Sequence, residues 1–522
     1  MFLTFYGAAD TVTGSCFVLD TSYCRIMVDC GLFQGSKTVK QRNYDPFPFP
    51  PRSIDYVLLT HAHIDHSGLI PKLVKHGYNG PIITTRCTMD LCGALLPDSA
   101  HVQETEVENK NRKARRAGRP LIQPIYTVDD ALAAMRLFQG VGYDEEVQLC
   151  RGVRARFRDA GHILGSALIE LWVRDGDQET KFVFSGDLGN YGRPFVEDPT
   201  DIWEADCLLL ESTYGDRIHN PEGLDMKARL RDVIQRTYKR GGNVLIPAFA
   251  VERTQELIYD LSLLSRAGEL PPVQIYVDSP LAAAVTRVFT NHHECYDDET
   301  RELVAAGAAP LEMPNLRFSQ TAEESRMLNA TPSGLVIIAG SGMCDAGRIR
   351  HHLKHNLWRP ESSVVFVGYQ AEGTLGRRLL NGEKDVRIFG DDICVRAEIV
   401  NIDGFSAHAD QRMLVNWLKK FSVLPQQFFL VHGEPAAARA LQDRIVKDVG
   451  LLGVIPRWQE TVAVRGGRHV QDKVRQACAG FWARLENFLE QNPDRAVYDE
   501  VMSRLNELQQ LIDEKAGGKG VA

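Results

Sequence analysis

A chain of 522 residues is too long for one ordinary hydrophobic core, so two or more domains are expected. Hydrophobic residues at 44% and charged residues at 25% exclude collagen-like and wholly disordered chains. A formal net charge of −8 argues against coating nucleic acid by bulk electrostatics, although metal ions and a local basic patch can supply a positive field where one is needed.

Residues 1–10 hold no basic segment followed by an apolar run, so they read as a first strand rather than a secretion signal. Nowhere does the chain approach the roughly 20 uninterrupted apolar residues of a membrane span. Short apolar runs at 24–28, 54–60, 80–84, 167–173, 181–184 and 207–210 alternate with turns and predict strands. Helical spacing lies between them at 69–75 and 131–138. Lys110, Arg112, Lys113, Arg115, Arg116 and Arg119 crowd together, either as a solvated helix end or loop or as a phosphate-tracking rim.

From about residue 226 helix and strand alternate: helix 226–240, strand 243–248, helix 252–263, strand 273–277, helix 281–290, strand 334–338, helix 348–356, strand 363–367. That order predicts parallel βαβ units. Short strands return near Val395, ending with the apolar run 428–431, and 435–448 looks helical. The tail from about 469 predicts two helices separated by Pro493. Val474, Cys478, Phe481, Trp482, Leu485, Phe488 and Leu489 form one apolar stripe, and Val501, Leu505, Leu508 and Ile512 another. Packing on the main body is expected of them ahead of a dimer or partner surface. The last six residues, 517–522, are expected to fray. The 11 cysteines include no CxxC pair, so neither a disulfide framework nor a cysteine zinc site is indicated, and reduced thiols in the cytoplasm are the default.

The strongest chemical signal is Thr60-His61-Ala62-His63-Ile64-Asp65-His66, directly after the strand predicted at 54–60. His61 and His63 point the same way while the chain stays extended. Asp65 and His66 can then turn toward an adjacent position. A mixed nitrogen and oxygen set of this kind suits zinc, and packing alone does not explain it.

His-x-His-x-Asp-His after a strand resembles the metallo-β-lactamase superfamily. Further pieces over about residues 1–465 resemble its β-CASP nucleases, and within them the bacterial and archaeal relatives of the messenger-RNA 3′-end cleavage endonuclease. They are Phe5-Tyr6-Gly7-Ala8-Ala9 with Val12-Thr13-Gly14-Ser15, Val28-Asp29-Cys30-Gly31, Asp159-Ala160-Gly161-His162 and Phe184-Ser185-Gly186-Asp187. After these come Glu211-Ser212-Thr213-Tyr214-Gly215, Gly340-Ser341-Gly342-Met343, Gly404-Phe405-Ser406-Ala407-His408 and Leu430-Val431-His432-Gly433-Glu434.

The resemblance implies an α/β fold: an αββα sandwich with an inserted parallel α/β domain and a helical C-terminal tail. The division it implies is 1–213 and 394–465 for the two parts of the metallo-β-lactamase domain, 214–393 for the β-CASP insertion and 466–522 for the tail. It implies two Zn2+ per chain, one on His61, His63 and His162, the other on Asp65, His66 and His432, with Asp187 bridging. Asp29 is then a group that accepts a hydrogen bond from a ligand imidazole or bound water. A bridging hydroxide is expected to attack the scissile phosphate, and His408, oriented by Glu211, to donate a proton to the leaving 3′ oxygen. Ser341 and Gly342 lie in a glycine-rich turn that is either a plain tight turn or a phosphate site. Arg253 and Arg348 are candidate phosphate contacts.

The superfamily core alone leaves thioester, lactam and phosphodiester hydrolysis open. The insertion narrows these to a chain-like substrate, and single-stranded RNA is the expected partner, with endonuclease and 5′-3′ exonuclease action both open. A DNA-processing nuclease is the alternative, but DNA-repair members carry an aliphatic residue where His432 stands. A non-catalytic subunit of a processing complex is the other alternative, and such chains usually lose ligands. The start at the first strand leaves no room for KH-type RNA-binding modules like those of the archaeal relatives. No membrane association is expected, and a homodimer is left open.

Overall fold

The computed structural model describes residues 1–176, 178–219, 225–371, 373–402, 406–467, parts of 474–489, and 495–517, with side chains described as far as 510. Ile512 and the pair Gly404-Phe405 therefore fall outside the described side chains or residues, as does the expected fraying of 518–522.

Two sheets form the first unit. In the seven-stranded one the order is Thr461–Ala463, Phe2–Phe5, Phe17–Asp20, Arg25–Val28, Tyr56–Leu58, Ile82–Thr85 and Phe138–Val141. The six-stranded one runs Gln427–Val431, Cys207–Glu211, Gln178–Phe184, Ala167–Asp175, Val153–Asp159 and Glu146–Cys150. Alternating residues of both, among them Leu3, Phe5, Ile26, Phe157, Ile169 and Phe184, close a dry core between the sheets. Leu73, Leu91, Leu95 and Ala131 bring helices Ile70–Lys75, Arg86–Arg116 and Val128–Met135 into a core cluster that also holds Val57, Ile82 and Phe138 of the first sheet. On the outer face of the second sheet, Leu414, Trp417, Leu441 and Ile445 bring down helices Gln411–Lys419 and Pro435–Val449. The result is the expected αββα layering.

A third sheet has the order Leu316–Phe318, Gln274–Val277, Leu335–Ala339, Val244–Pro247, Ser363–Phe366 and Glu398–Asn401, and each of its pairings is parallel. Its central strands are buried at every position, as continuous Val/Ile/Leu runs covered on both faces require. Glu398–Asn401 hydrogen-bonds to Ser363–Phe366, so the expected division at 393/394 falls ahead of this strand.

Two local readings are corrected and a third is narrowed. The segment 131–138 is not one helix: a Thr127/Asp130 capping box starts the helix at Val128, it ends at Met135, and Phe138 opens an edge strand. Of the basic run, expected at a helix end or loop, Lys110 to Arg116 end a 31-residue helix, Arg86–Arg116, and Arg119 follows it. The tail stripe does not bury itself on the body: Phe481, Trp482 and Phe488 stay 44%, 51% and 45% exposed. An amphipathic pattern defines a face that favours a partner, not which chain supplies it. No helix among the described residues is long and apolar enough to cross a membrane.

Candidate metal centre

Strand Tyr56–Leu58 lies in the first sheet between Arg25–Val28 and Ile82–Thr85, parallel to both. The chain stays extended to His63, and helix Ile64–Ser67 then carries Asp65 in its first turn and His66 in its last. Two strand ends hold this turn in place. Ser15 N donates to Asp65 O, Cys30 N to His66 O and Leu32 N to Ile64 O. Gly31 makes the approach possible, because a Cβ there would stand 1.6 Å from Asp65 O.

The second sheet supplies the facing residues. Its strands Gln178–Phe184, Cys207–Glu211 and Gln427–Val431 are mutually parallel neighbours, so their C-terminal ends lie side by side. Those ends deliver Asp187, Glu211 and His432. His162 follows Val153–Asp159 in a turn closed by Ser166 Oγ, which accepts from the backbone N–H of His162 and Ile163. His408 is held beside Gly189 by an isolated bridge.

The donor atoms gather in two sets that share one carboxylate. In the first, His63 Nδ1 is 3.1 Å from His61 Nε2 and 3.2 Å from His162 Nε2, and Asp187 Oδ2 is 3.5 Å from the Nε2 of both His61 and His162. In the second, His66 Nε2 lies 3.0 Å from His432 Nε2 and 3.4 Å from Asp187 Oδ1, while Asp65 Oδ2 is 3.6 Å from His432 Nε2. Tetrahedral zinc with bonds of about 2.0–2.1 Å has ligand–ligand edges of about 3.3–3.4 Å, which these spacings bracket. His162 Nδ1 and Asp187 Oδ1 are buried without a hydrogen-bond partner. A buried anionic oxygen with no donor is costly unless a cation faces it. The donor set therefore fits metal binding on its own geometry.

Electrostatics agrees. Burial pulls His63 down to about 4 and lowers His61 and His162 well below the ordinary histidine value, which keeps them neutral with lone pairs free. Burial alone would raise the carboxyls, but the surrounding imidazoles outweigh it, holding Asp65 at about 2 and Asp187 well below the usual range. Burial also disfavours charge on His66, yet Asp187 and Asp29 overcome it and raise its pKa well above 6.5 in the metal-free protein. A metal ion bound there would take that proton's place.

Asp29 lies behind His66: its Oδ2 is 2.7 Å from His66 Nδ1, and it also accepts from Thr60 N at 2.9 Å, Thr60 Oγ1 at 3.0 Å and Ser15 Oγ at 3.0 Å. Glu211, fully buried, meets His408 Nδ1 with both oxygens at 3.3 Å. Thr60 and Thr213 were not anticipated. Thr60 Oγ1 is 3.1 Å from His61 Nδ1, and Thr213 Oγ1 is 3.0 Å from His432 Nδ1. The available signal was their position beside motif residues.

The expected phosphate contacts are placed differently. Arg253 is buried and paired with Glu256, and Arg348 donates to Asp278 Oδ1 at 2.7 Å and to the carbonyls of Ser319 and Gln320. Both guanidiniums have internal partners in this arrangement. Ser341 closes its own turn, its Oγ accepting from Ala346 N at 3.2 Å, and Gly342 packs under Phe249.

Residues 9–86 match the Metallo-beta-lactamase superfamily, 254–379 the Beta-Casp domain, and 392–456 the Zn-dependent metallo-hydrolase RNA specificity domain. The chain is 38% identical to "Ribonuclease TTHA0252" of Thermus thermophilus over 436 residues, which cover 84% of this chain and 94% of that protein. The chain belongs to the β-CASP family. This β-CASP protein is also 32% identical to "Transcription termination factor FttA" of Methanosarcina mazei, over 85% of its own length and 69% of that protein's. With the "RNase J-like protein" of Methanocaldococcus jannaschii it shares 31% identity over 83% and 92% of the two chains. Among solved structures, a protein of unknown function from Enterococcus faecalis V583 shares the fold at 13% identity and a TM-score of 0.50, covering 88% of this chain and 99% of that one.

Proposed function

We propose that this β-CASP protein is a zinc-dependent ribonuclease that hydrolyses RNA phosphodiester bonds with two metal ions. The observation that carries the reading is the division of donors: His61, His63 and His162 on one side of Asp187, Asp65, His66 and His432 on the other. Those residues would hold the ions. Bound there, the metals supply Lewis acidity and an activated water for attack at phosphorus.

The chain's own residues do the rest. Asp29 accepts a hydrogen bond from His66 Nδ1–H, and Thr213 is within hydrogen-bond distance of His432 Nδ1, so the opposite nitrogens stay available to the centre. Glu211 accepts a hydrogen bond from His408 Nδ1–H, which leaves the Nε2 proton for the departing 3′ oxygen. Products carry 5′-phosphate and 3′-hydroxyl ends. His408 is less enclosed than His66 or His432, its side chain 20% exposed against 1% and 3%, as a group that meets substrate has to be.

In this reading 1–213 and 394–465 form the catalytic domain, and 214–393 forms a lid over an RNA strand. The parallel sheet and the Beta-Casp match at 254–379 support the lid, and the match to an RNA specificity domain at 392–456 supports an RNA substrate. The free cysteines support a cytoplasmic setting, and the exposed tail stripe supports a second copy of the chain as a partner. Zinc analysis of fresh protein tests the centre: two ions per chain are expected, and one or fewer overturns the two-ion arrangement. Equal cleavage of matched RNA and all-deoxy strands overturns the RNA preference.

A further inference from the structure

Away from the metal-binding donors, a cavity of about 220 Å³ opens between the loop that follows Gly31 and the segment around Trp458. Its walls are aromatic. Tyr6 and Phe49 stand 4.8 Å apart by ring centroid, and Phe47 lies 5.3 Å from Phe49. Opposite them the Arg42 guanidinium lies 4.1 Å over Trp458 and 5.5 Å from the Phe33 ring. Arg42 Nη1 is buried and has no hydrogen-bond partner. At the base, Lys72 Nζ lies 4.7 Å from the Phe47 ring and gives two of its protons to the carbonyls of Asn43 and Asp45.

The pocket is built in advance. Asn43 exchanges hydrogen bonds of 2.8 and 2.7 Å with the backbone of Phe33, and Trp458 Nε1 donates to Tyr6 O at 2.9 Å, tying the far wall to the first strand. The volume is below the roughly 300–1,000 Å³ of sites for drug-sized ligands, so it admits one ring system and not a whole substrate. Flat aromatic walls select a planar ring, and an unpartnered guanidinium nitrogen selects an anion attached to it.

We propose that this cavity binds one nucleotide unit, its base among Tyr6, Phe47 and Phe49 and its phosphate on Arg42 Nη1. The choice of a nucleotide over other planar anions rests on the ribonuclease reading. Gly31 lines the cavity and also packs against Asp65 O, so an occupant would press on the turn that carries the metal-binding motif.

The test is calorimetric titration of the full zinc-loaded chain with AMP, adenosine and ribose 5-phosphate, for wild type, Arg42→Met and Arg42→Lys. Weakening of AMP at least tenfold by Arg42→Met, with adenosine unchanged, is the expected result; Arg42→Lys should fall between. Equal loss for AMP and adenosine would mean that Arg42 does not meet the phosphate, ribose 5-phosphate binding the wild type as tightly as AMP would reduce the site to a bare anion contact, and loss for neither would place AMP elsewhere; any of these outcomes overturns the proposal. Melting curves identify a variant that fails to fold, in which case Arg42→Lys decides. A phosphorothioate-linked adenosine hexamer that binds tighter than AMP, with the same Arg42 dependence, assigns the unit to an RNA strand; weaker binding assigns a free nucleotide. These readouts involve no cleavage, so their failure leaves the ribonuclease reading standing.

Discussion

Asp29→Asn isolates one half of the metal centre. The substitution keeps size, and asparagine tolerates the left-handed backbone at this position (φ 60°) as well as aspartate does. It removes the charge 2.7 Å from His66 Nδ1. It also removes one of two acceptor oxygens that together take up Ser15 Oγ, Thr60 N, Thr60 Oγ1 and His66 Nδ1. A charge-assisted hydrogen bond in a buried site contributes about 1.5–3 kcal/mol. At about 1.4 kcal/mol per decade that is roughly 10- to 100-fold in affinity, the range typical of groups that orient a ligand imidazole. His66 belongs to only one donor set, so the loss falls on one ion. Titration against a chromophoric zinc chelator is expected to become two-phased, one ion near wild-type affinity and the other weakened by that factor. Equal weakening of both ions, or of neither, refutes the assignment of Asp29 to His66.

His408→Ala is expected to keep both zinc ions and lower single-turnover RNA cleavage by about 10²- to 10⁴-fold, measured with metal content alongside. Gly31→Ala is expected to displace the Asp65 carbonyl and destabilise the fold by about 3 kcal/mol or more, read from denaturant midpoints. Glu398→Gln should flatten the acid limb of stability. Burial would raise this carboxyl, but Arg236 and Arg240 hold it at about 2, so its contribution is complete above the unfolded value near 4.5 and is lost as pH falls toward 2. With the arginines 41% and 36% exposed, about 1–2 kcal/mol is expected over that window. Urea midpoints at pH 5 and pH 3 measure it.

The candidate donor cluster was legible because its chemistry is rare: three imidazoles and a carboxylate in one short run have few uses besides holding a metal. The parallel insertion was legible from runs such as Leu335–Ala339, which a half-exposed strand could not carry. The helix Arg86–Arg116 was not, since its second half buries only Val107 and Pro97 interrupts the pattern. The internal partners of Arg253 and Arg348 were hidden for a different reason. A guanidinium suited to phosphate is equally suited to Glu256 or Asp278, and only the fold shows which anion arrives first. Thr60 and Thr213 stood inside quoted motifs without a role, because threonine is a commonplace residue whose importance lies wholly in what its hydroxyl meets.

The pairing of His66 with His432 spans 366 positions of sequence. A ribosome extends the chain from the N-terminus, so the histidine-rich turn is made long before its counterpart on strand Gln427–Val431. Through most of its synthesis the nascent polypeptide holds only part of the donor constellation, and His408 also arrives late. A chain assembled beside the message that encodes it thus completes this set of donors only once synthesis has passed residue 432.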